Sequence, residues 1–195
     1  MKTSFYNLVK SDLVQSKIVR STEILSYVKY VFLFFRSRTC RMHTFVRLRA
    51  ANFLLSYVAK KYLDRYFIEI SSNAHIGKYF WMPHPRCIII ADCIKIGEHV
   101  HVGQYVTIGG NINKTKILEN GSVQKMPIIG NRVMIHPGAV IGGPIVIGDD
   151  VIIGANSVVT KDVPSNTIVY GQNQFANKKI TIPIEGGYFN KIESK

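Results

Sequence analysis

Residues 129–159 read IGNRVMIHPGAVIGGPIVIGDDVIIGANSVV, and an aliphatic residue returns at every sixth position: Ile129, Ile135, Ile141, Ile147, Ile153 and Val159. An α-helix turns about every 3.6 residues, so a period of six holds no helical face. The residue after the aliphatic one is usually glycine, as at Gly130, Gly142, Gly148 and Gly154. Four residues after it stands a second inward candidate: Val133, Ala139, Ile145, Val151 and Ser157. The pattern predicts one short strand per repeat, with Gly or its substitute taking the turn. Three such strands make a coil, and stacked coils make a triangular prism filled with aliphatic side chains.

The same period runs upstream through Ile96, Val102 and Ile108. A weaker run, Ile70, Ile76 and Met82, joins it through Ile88–Ile90 with a shift of two residues. The repeat breaks once, at residues 109–128, where GGNINKTKILENGSVQKMPI predicts an extruded loop. Its Lys114, Lys116 and Lys125 are either contacts for an anionic ligand or simply solvated. Pro164 closes the regular pattern. The tail, 172–195, includes Ile180–Ile184, which alternates like an edge strand with Pro183 in an edge position.

Residues 1–66 have another character. No Gly or Pro occurs before Gly77, and apolar residues recur three or four apart at Leu13, Ile18, Ile24, Val28, Val31 and Phe35. A basic α-helical region is expected, with helix starts at Ser11–Asp12 and at Ser21 followed by Glu23. From Arg36 to Arg49, five arginines interleave with Met42, Phe45, Val46 and Leu48. Such a helix either caps the prism and pairs with its copy in another subunit, or lies on an anionic membrane surface. His43, among the arginines, is expected at the surface. The net charge is +13, and residues 1–68 carry thirteen Lys/Arg against three Asp/Glu. This asymmetry points to an anionic partner or to a solvated face or subunit contact. No recognised nucleic-acid motif accompanies it, so no nucleic acid is expected.

Cys40, Cys87 and Cys93 have neither the number nor the spacing of a disulfide framework and suit reduced thiols in a cytoplasmic protein. No signal peptide is read at the N-terminus, and the longest early apolar run, Tyr30–Phe35, is too short to span a bilayer.

The six-residue repeat, with Phe67–Ile70, Ala74–Gly77, Met82-Pro83-His84-Pro85, Val106–Gly110 and Gly154–Pro164, resembles the hexapeptide-repeat acyltransferases. Over about half the chain it is similar to their serine acetyltransferase branch, which includes enzymes that acetylate capsular and exopolysaccharide sugars. The resemblance implies a mainly β fold, a left-handed parallel β-helix over 67–171 with an α-helical N-terminal extension. It also implies acetyl-CoA as co-substrate, a homotrimer or dimer of trimers, and an active site between subunits. His84 falls where the family has its catalytic base, and Glu69 where it has an orienting carboxylate, normally Asp. A hydroxyl needs a base to take its proton as it attacks a thioester, and imidazole suits that at neutral pH. Backbone N–H groups near Gly109 and Gly110 are candidates for the oxyanion. Gly154, Ala155 and Ser157 would border the groove for the pantetheine arm, and Lys161 would meet phosphate.

Two departures bear on the acceptor. Serine-specific members carry Asp before the catalytic His, where this chain has Pro83. They carry Arg-His before the prism resumes, where it has Lys125 and Met126. The main expectation is therefore a sugar hydroxyl, free or lipid-linked, in surface polysaccharide synthesis, with cytoplasmic location and peripheral contact at the inner membrane face. The alternative is serine O-acetylation. The family's Pro-Ala-Arg after the last coil is replaced by Tyr170-Gly171-Gln172-Asn173, with Lys178 and Lys179 as substitute charges. Other classes stay open. A zinc enzyme on the same prism would use His101 and His136, but neither has an HxxxH partner, so no metal is expected. A non-catalytic trimeric scaffold or membrane-binding module needs only the prism and the extension.

Overall fold

In the computed structural model, which describes residues 5–19, 27–111, 114–118, 121–171 and 174–177, the period of six becomes three parallel ladders. The first stacks Glu69–Ile70, Ile89–Ile90, Thr107–Gly109, Val140–Gly142 and Val158–Val159. The second stacks His75–Ile76, Lys95–Ile96, Ile128–Ile129 and Val146–Ile147. The third stacks His101–Val102, Met134–Ile135, Ile152–Ile153 and Thr167–Tyr170, with Trp81 bridged to His101. Counterparts lie directly over one another, as Ile108 over Ile141, Ile96 over Ile129 and Ile135 over Ile153. The strands are two to four residues long, and their inward residues, with those of the preceding corner, fill one continuous aliphatic core.

The glycines act differently from the expectation. Those following the aliphatic position are not at positive φ. The left-handed residue comes two positions later, at Tyr79, Cys93, His99, Tyr105, Arg132, Asp150 and Asn156. What Gly77, Gly97 and Gly130 provide is room. A Cβ on Gly77 would lie 2.5 Å from the Gly97 carbonyl oxygen, and one on Gly97 would lie 2.5 Å from that of Gly130. These residues form one column at the corner between the second and third ladders, where successive coils touch backbone to backbone.

The two-residue shift is also resolved. Ile70 pairs with Ile90, and Ile90 with Ile108, so the first coil is two residues longer than the next. The surplus sits between Met82 and Ile88, in the corner holding Pro83, His84 and Pro85.

Four helices precede the prism: α1 (Phe5–Gln15), α2 (Tyr27–Arg36), α3 (Arg38–Leu48) and α4 (Phe53–Asp64). The helix starts at α3 and α4 are capped by Ser37, which accepts from the Cys40 N–H, and Asn52, which accepts from the Leu55 N–H. Ser11 and Asp12 start no helix. They lie inside α1, buried, and serve the prism: Ser11 Oγ accepts from the Tyr79 N–H at 3.2 Å and Asp12 from the Phe80 N–H at 3.0 Å. Ser21 and Glu23 lie outside the described residues, as does Ile180–Ile184.

The arginine-rich segment is a cap. Arg47 forms a buried two-pronged pair with Asp12 at 2.8 and 2.7 Å and donates to the carbonyls of Ile76 and Gly77 at 2.6 Å each. Arg49 donates to the carbonyls of Ser71, Val46 and Ala74. The first coil has no coil before it, and these guanidinium groups satisfy carbonyls it would otherwise leave bare. His43 is fully buried, contrary to the expected surface position; its Nδ1 lies 3.6 Å from Asp12 Oδ2, and neither ring nitrogen has a hydrogen-bond partner. All three cysteines are free, and burial pushes the Cys40 thiol up to about 11. Among the described residues no helix is long and apolar enough to cross a membrane.

Candidate active site

The corner between the third and first ladders is a column of turns held by backbone bonds. Tyr105 N–H donates to Arg86, Gly138 N–H to Gln104 and Asn156 N–H to Pro137. His84 belongs to the first and widest of these turns. Pro85 beside it is buried and His84 itself is exposed, so the imidazole projects from a corner stiffened on both sides by proline. Glu69 begins the first-ladder strand that pairs with Ile89, and its side chain is exposed. His84 and Glu69 make no hydrogen bond to each other. Glu69 borders a cleft of about 420 Å³ between α4 and the first two coils, shared with Arg49, Lys60, Ser71 and Asp92.

The opposite edge of the same face carries the loop. It contains a small hairpin, Lys116–Ile117 paired antiparallel with Val123–Gln124. Gln124 is buried and donates to the carbonyls of Met126 and Ile145, which pins the returning chain to the prism. Met126 packs on Gly110, where a Cβ would lie 2.8 Å from its Sδ, and Lys125 is exposed next to it. Lys116 pairs with Asp162 at 2.5 Å, on the stretch that also carries Lys161. Burial alone would raise the Asp162 carboxyl, but bonds from Lys116 and the Val146 N–H hold it below the usual range. Lys114, Lys116, Lys161 and Asp162 line a groove of about 520 Å³.

The expected site residues therefore fall into two groups at opposite corners of the first-ladder face. Pro83, His84, Gly154 and Ala155 belong to one corner. Gly109, Gly110, Lys125, Met126 and Lys161 belong to the other. Even within the first corner, His84 and Ala155 are three coils apart, about 14 Å at the ~4.8 Å spacing of strands. Ser157 faces the interior, fully buried with its Oγ unpartnered, while its N–H donates to Gly154 and its carbonyl accepts from the Val140 N–H, so it offers a ligand no open group and lies behind Gly154 and Ala155. The Lys116–Asp162 pair could not be read from the sequence, since 46 residues separate the partners. Arg86 and Tyr105 are exposed in the same column as His84.

His101, one of the two zinc candidates, is committed elsewhere. It contacts Gln15 of α1 and sits edge-on to Trp81 with ring centroids 4.8 Å apart, and burial lowers its imidazole to about 4. Among the described residues no group of three His, Cys, Asp or Glu could hold a metal.

Comparison with known proteins bears on this geometry. Residues 126–161 match the bacterial transferase hexapeptide (six repeats). Over that stretch the chain carries the same hexapeptide repeat as those transferases. Two serine acetyltransferases stand among its relatives, from Staphylococcus epidermidis at 41% identity and from Staphylococcus aureus at 38%. Each match spans 111 residues, 56% of this chain and 49% of the relative, so the chain spans about half the length of the curated relatives it matches. Serine acetyltransferase from Neisseria gonorrhoeae superposes with a TM-score of 0.71 at 23% identity, over 92% of this chain and 68% of that one. The isoform 3 enzyme from Entamoeba histolytica, in complex with cysteine, gives 0.64 at 24%, over 92% and 62%. The soybean apoenzyme gives 0.63 at 25%, over 89% and 69%. The first two likenesses speak to fold alone. Together with the ladders they make the hexapeptide-repeat prism a left-handed parallel β-helix with an α-helical N-terminal extension.

Proposed function

We propose that this chain is an acetyl-CoA-dependent O-acetyltransferase with His84 as general base. His84 takes the proton of an acceptor hydroxyl as that oxygen attacks the thioester carbonyl carbon. The tetrahedral intermediate collapses with loss of the CoA thiolate, which recovers the proton from the imidazolium. Glu69, which makes no hydrogen bond to His84 in the single chain, is the carboxylate that would orient the imidazole, and backbone N–H groups near Gly109 and Gly110 would receive the oxyanion. Gly154 and Ala155 border the pantetheine arm, with the buried Ser157 behind them, and Lys161 meets phosphate.

The observation that carries this reading is the separation of the two corners. An imidazole on one edge of a flat face and a basic, loop-bearing groove on the other cannot meet within one prism, but two prisms set edge to edge bring them together. Cyclic trimerisation would complete three such sites. The relatives' names favour serine as acceptor over the sugar hydroxyl expected from the sequence. A sugar hydroxyl remains a second reading because Pro83, Lys125 and Met126 stand where serine-specific members have charged or imidazole groups.

The test is thiol release from acetyl-CoA with serine and with a panel of sugars and nucleotide-linked sugars as acceptors. His84→Ala is expected to lower kcat by about 10²–10⁴-fold with the fold intact. A variant of undiminished rate removes the base assignment, and a wild type that does not bind acetyl-CoA removes the activity.

A further inference from the structure

The helical extension carries a surface unlike the rest of the molecule. α4 turns Ala59 and Leu63 inward, yet its other side presents Phe53, 89% exposed, with Leu54, Tyr57 and Val58 also exposed. α2 packs Leu33 and Phe34 toward the small cluster around Leu13 and Cys40, and presents Val28, Phe32 and Phe35 at spacings of four and three, one side of a helix. Arg41 of α3 donates to the Phe34 and Phe35 carbonyls and to the Tyr62 hydroxyl, so the end of α2 lies beside α4. Just past α4, Phe67 is exposed at φ 54°, a position where a helix end ordinarily uses Gly. A bulky aromatic held there gains no burial within its own chain.

The same surface is basic. Lys60, Lys61 and Arg65 follow the apolar half of α4, and Arg36 and Arg38 flank the junction of α2 and α3; all are exposed. The acids beside them are Asp64 on α4 and, across the cleft that Lys60 lines, Glu69 and Asp92; Asp12 is consumed by Arg47 in the interior.

The charge selects among occupants. Pairing this face symmetrically with its own copy would set lysines and arginines against one another, which disfavours that occupant. A nucleic acid would accept the lysines but offers no apolar phase for Phe53, Leu54 and Phe35. An anionic bilayer surface offers both. We infer that α4 and the adjoining end of α2 form a docking face for anionic lipid, with Phe53, Leu54 and Phe35 entering the headgroup–acyl boundary and Lys60, Lys61 and Arg65 on the headgroups. This differs from the segment the sequence suggested, whose Arg47 and Arg49 are spent inside the protein, and it stands apart from the acetyl-transfer reading.

Flotation of the full chain with vesicles tests it. Binding is expected to mixed phosphatidylcholine–phosphatidylglycerol vesicles, to weaken in high salt, and to be slight with phosphatidylcholine alone. Phe53→Ser with Leu54→Ser should lower the partition coefficient by about tenfold or more, and Lys60→Ser with Lys61→Ser by roughly tenfold, both with an unchanged melting temperature. Absence of binding to the anionic vesicles overturns the inference, as does binding indifferent to Phe53 and Leu54. A wild type that ignores vesicles, but whose larger assembly falls apart on the same double substitution in the ultracentrifuge, makes the face a contact between copies and overturns it equally.

Discussion

In the prism, nearly every strand N–H and carbonyl finds its partner one coil away, and the same bond is made at each level. In the helical cap above it, the work falls to a few side chains: Asp12, Arg47 and Arg49 terminate the ladders, and Gln15 meets His101 along the side. One region is redundant and the other is not. Repetition spreads each interaction over equivalent levels, so a lost methyl is shared among neighbours. Termination happens once, so every group that performs it is singular.

The sharpest way to break this contrast is Asp12→Ala. It strands the Arg47 guanidinium without its counter-charge and the Phe80 N–H without an acceptor. Removing one member of a buried pair costs about 3–5 kcal/mol. Hydrogen exchange should show α1 and α3 opening while the later coils stay protected; uniform loss across both regions would erase the distinction. Next comes pH. Burial lowers His101 to about 4 from its ordinary 6.5, so the folded protein keeps it neutral while the unfolded chain takes a proton below about 6.5. Stability is therefore full above that pH and falls as pH drops toward 4, by a contribution on the order of 3 kcal/mol. His99 and His136, also lowered by burial, act in the same direction. Urea midpoints at pH 7 and pH 5 measure the slope, and His101→Phe should flatten it. The mildest effect belongs to the prism. Gly97→Ala forces a Cβ against the Gly130 carbonyl and should cost about 1–3 kcal/mol, whereas Gly142→Ala, with nothing within 4 Å, should leave the melting temperature nearly unchanged. Equal melting temperatures would show that the coils can slide apart at that corner.

The prism was legible in the sequence because its information is local and repeated: the inward position of Ile141 is announced by Ile135 and Ile147. The role of its glycines was not, because period alone does not separate a residue that turns the chain from one that lets two coils approach. The cap was misread where meaning depends on distant partners. Ser11 and Asp12 look like a helix start until Tyr79 and Phe80 are seen beside them, and His43 looks like a surface residue until Asp12 of α1 is found next to its buried ring. The site was half legible. His84 stands out because two prolines bracket it, but no local pattern says that the basic groove of Lys114, Lys116 and Lys161 lies across a face rather than beside the imidazole.

The last level of the third ladder has a consequence of its own. Thr167–Tyr170 is followed by Gln174–Asn177, which runs back along it antiparallel. A parallel rung there would have left an open edge of the kind that lets molecules add end to end into filaments. By doubling back, the chain covers Thr167–Tyr170 with a strand of opposite direction, so another prism arriving at this ladder meets an antiparallel edge that cannot continue the parallel coil.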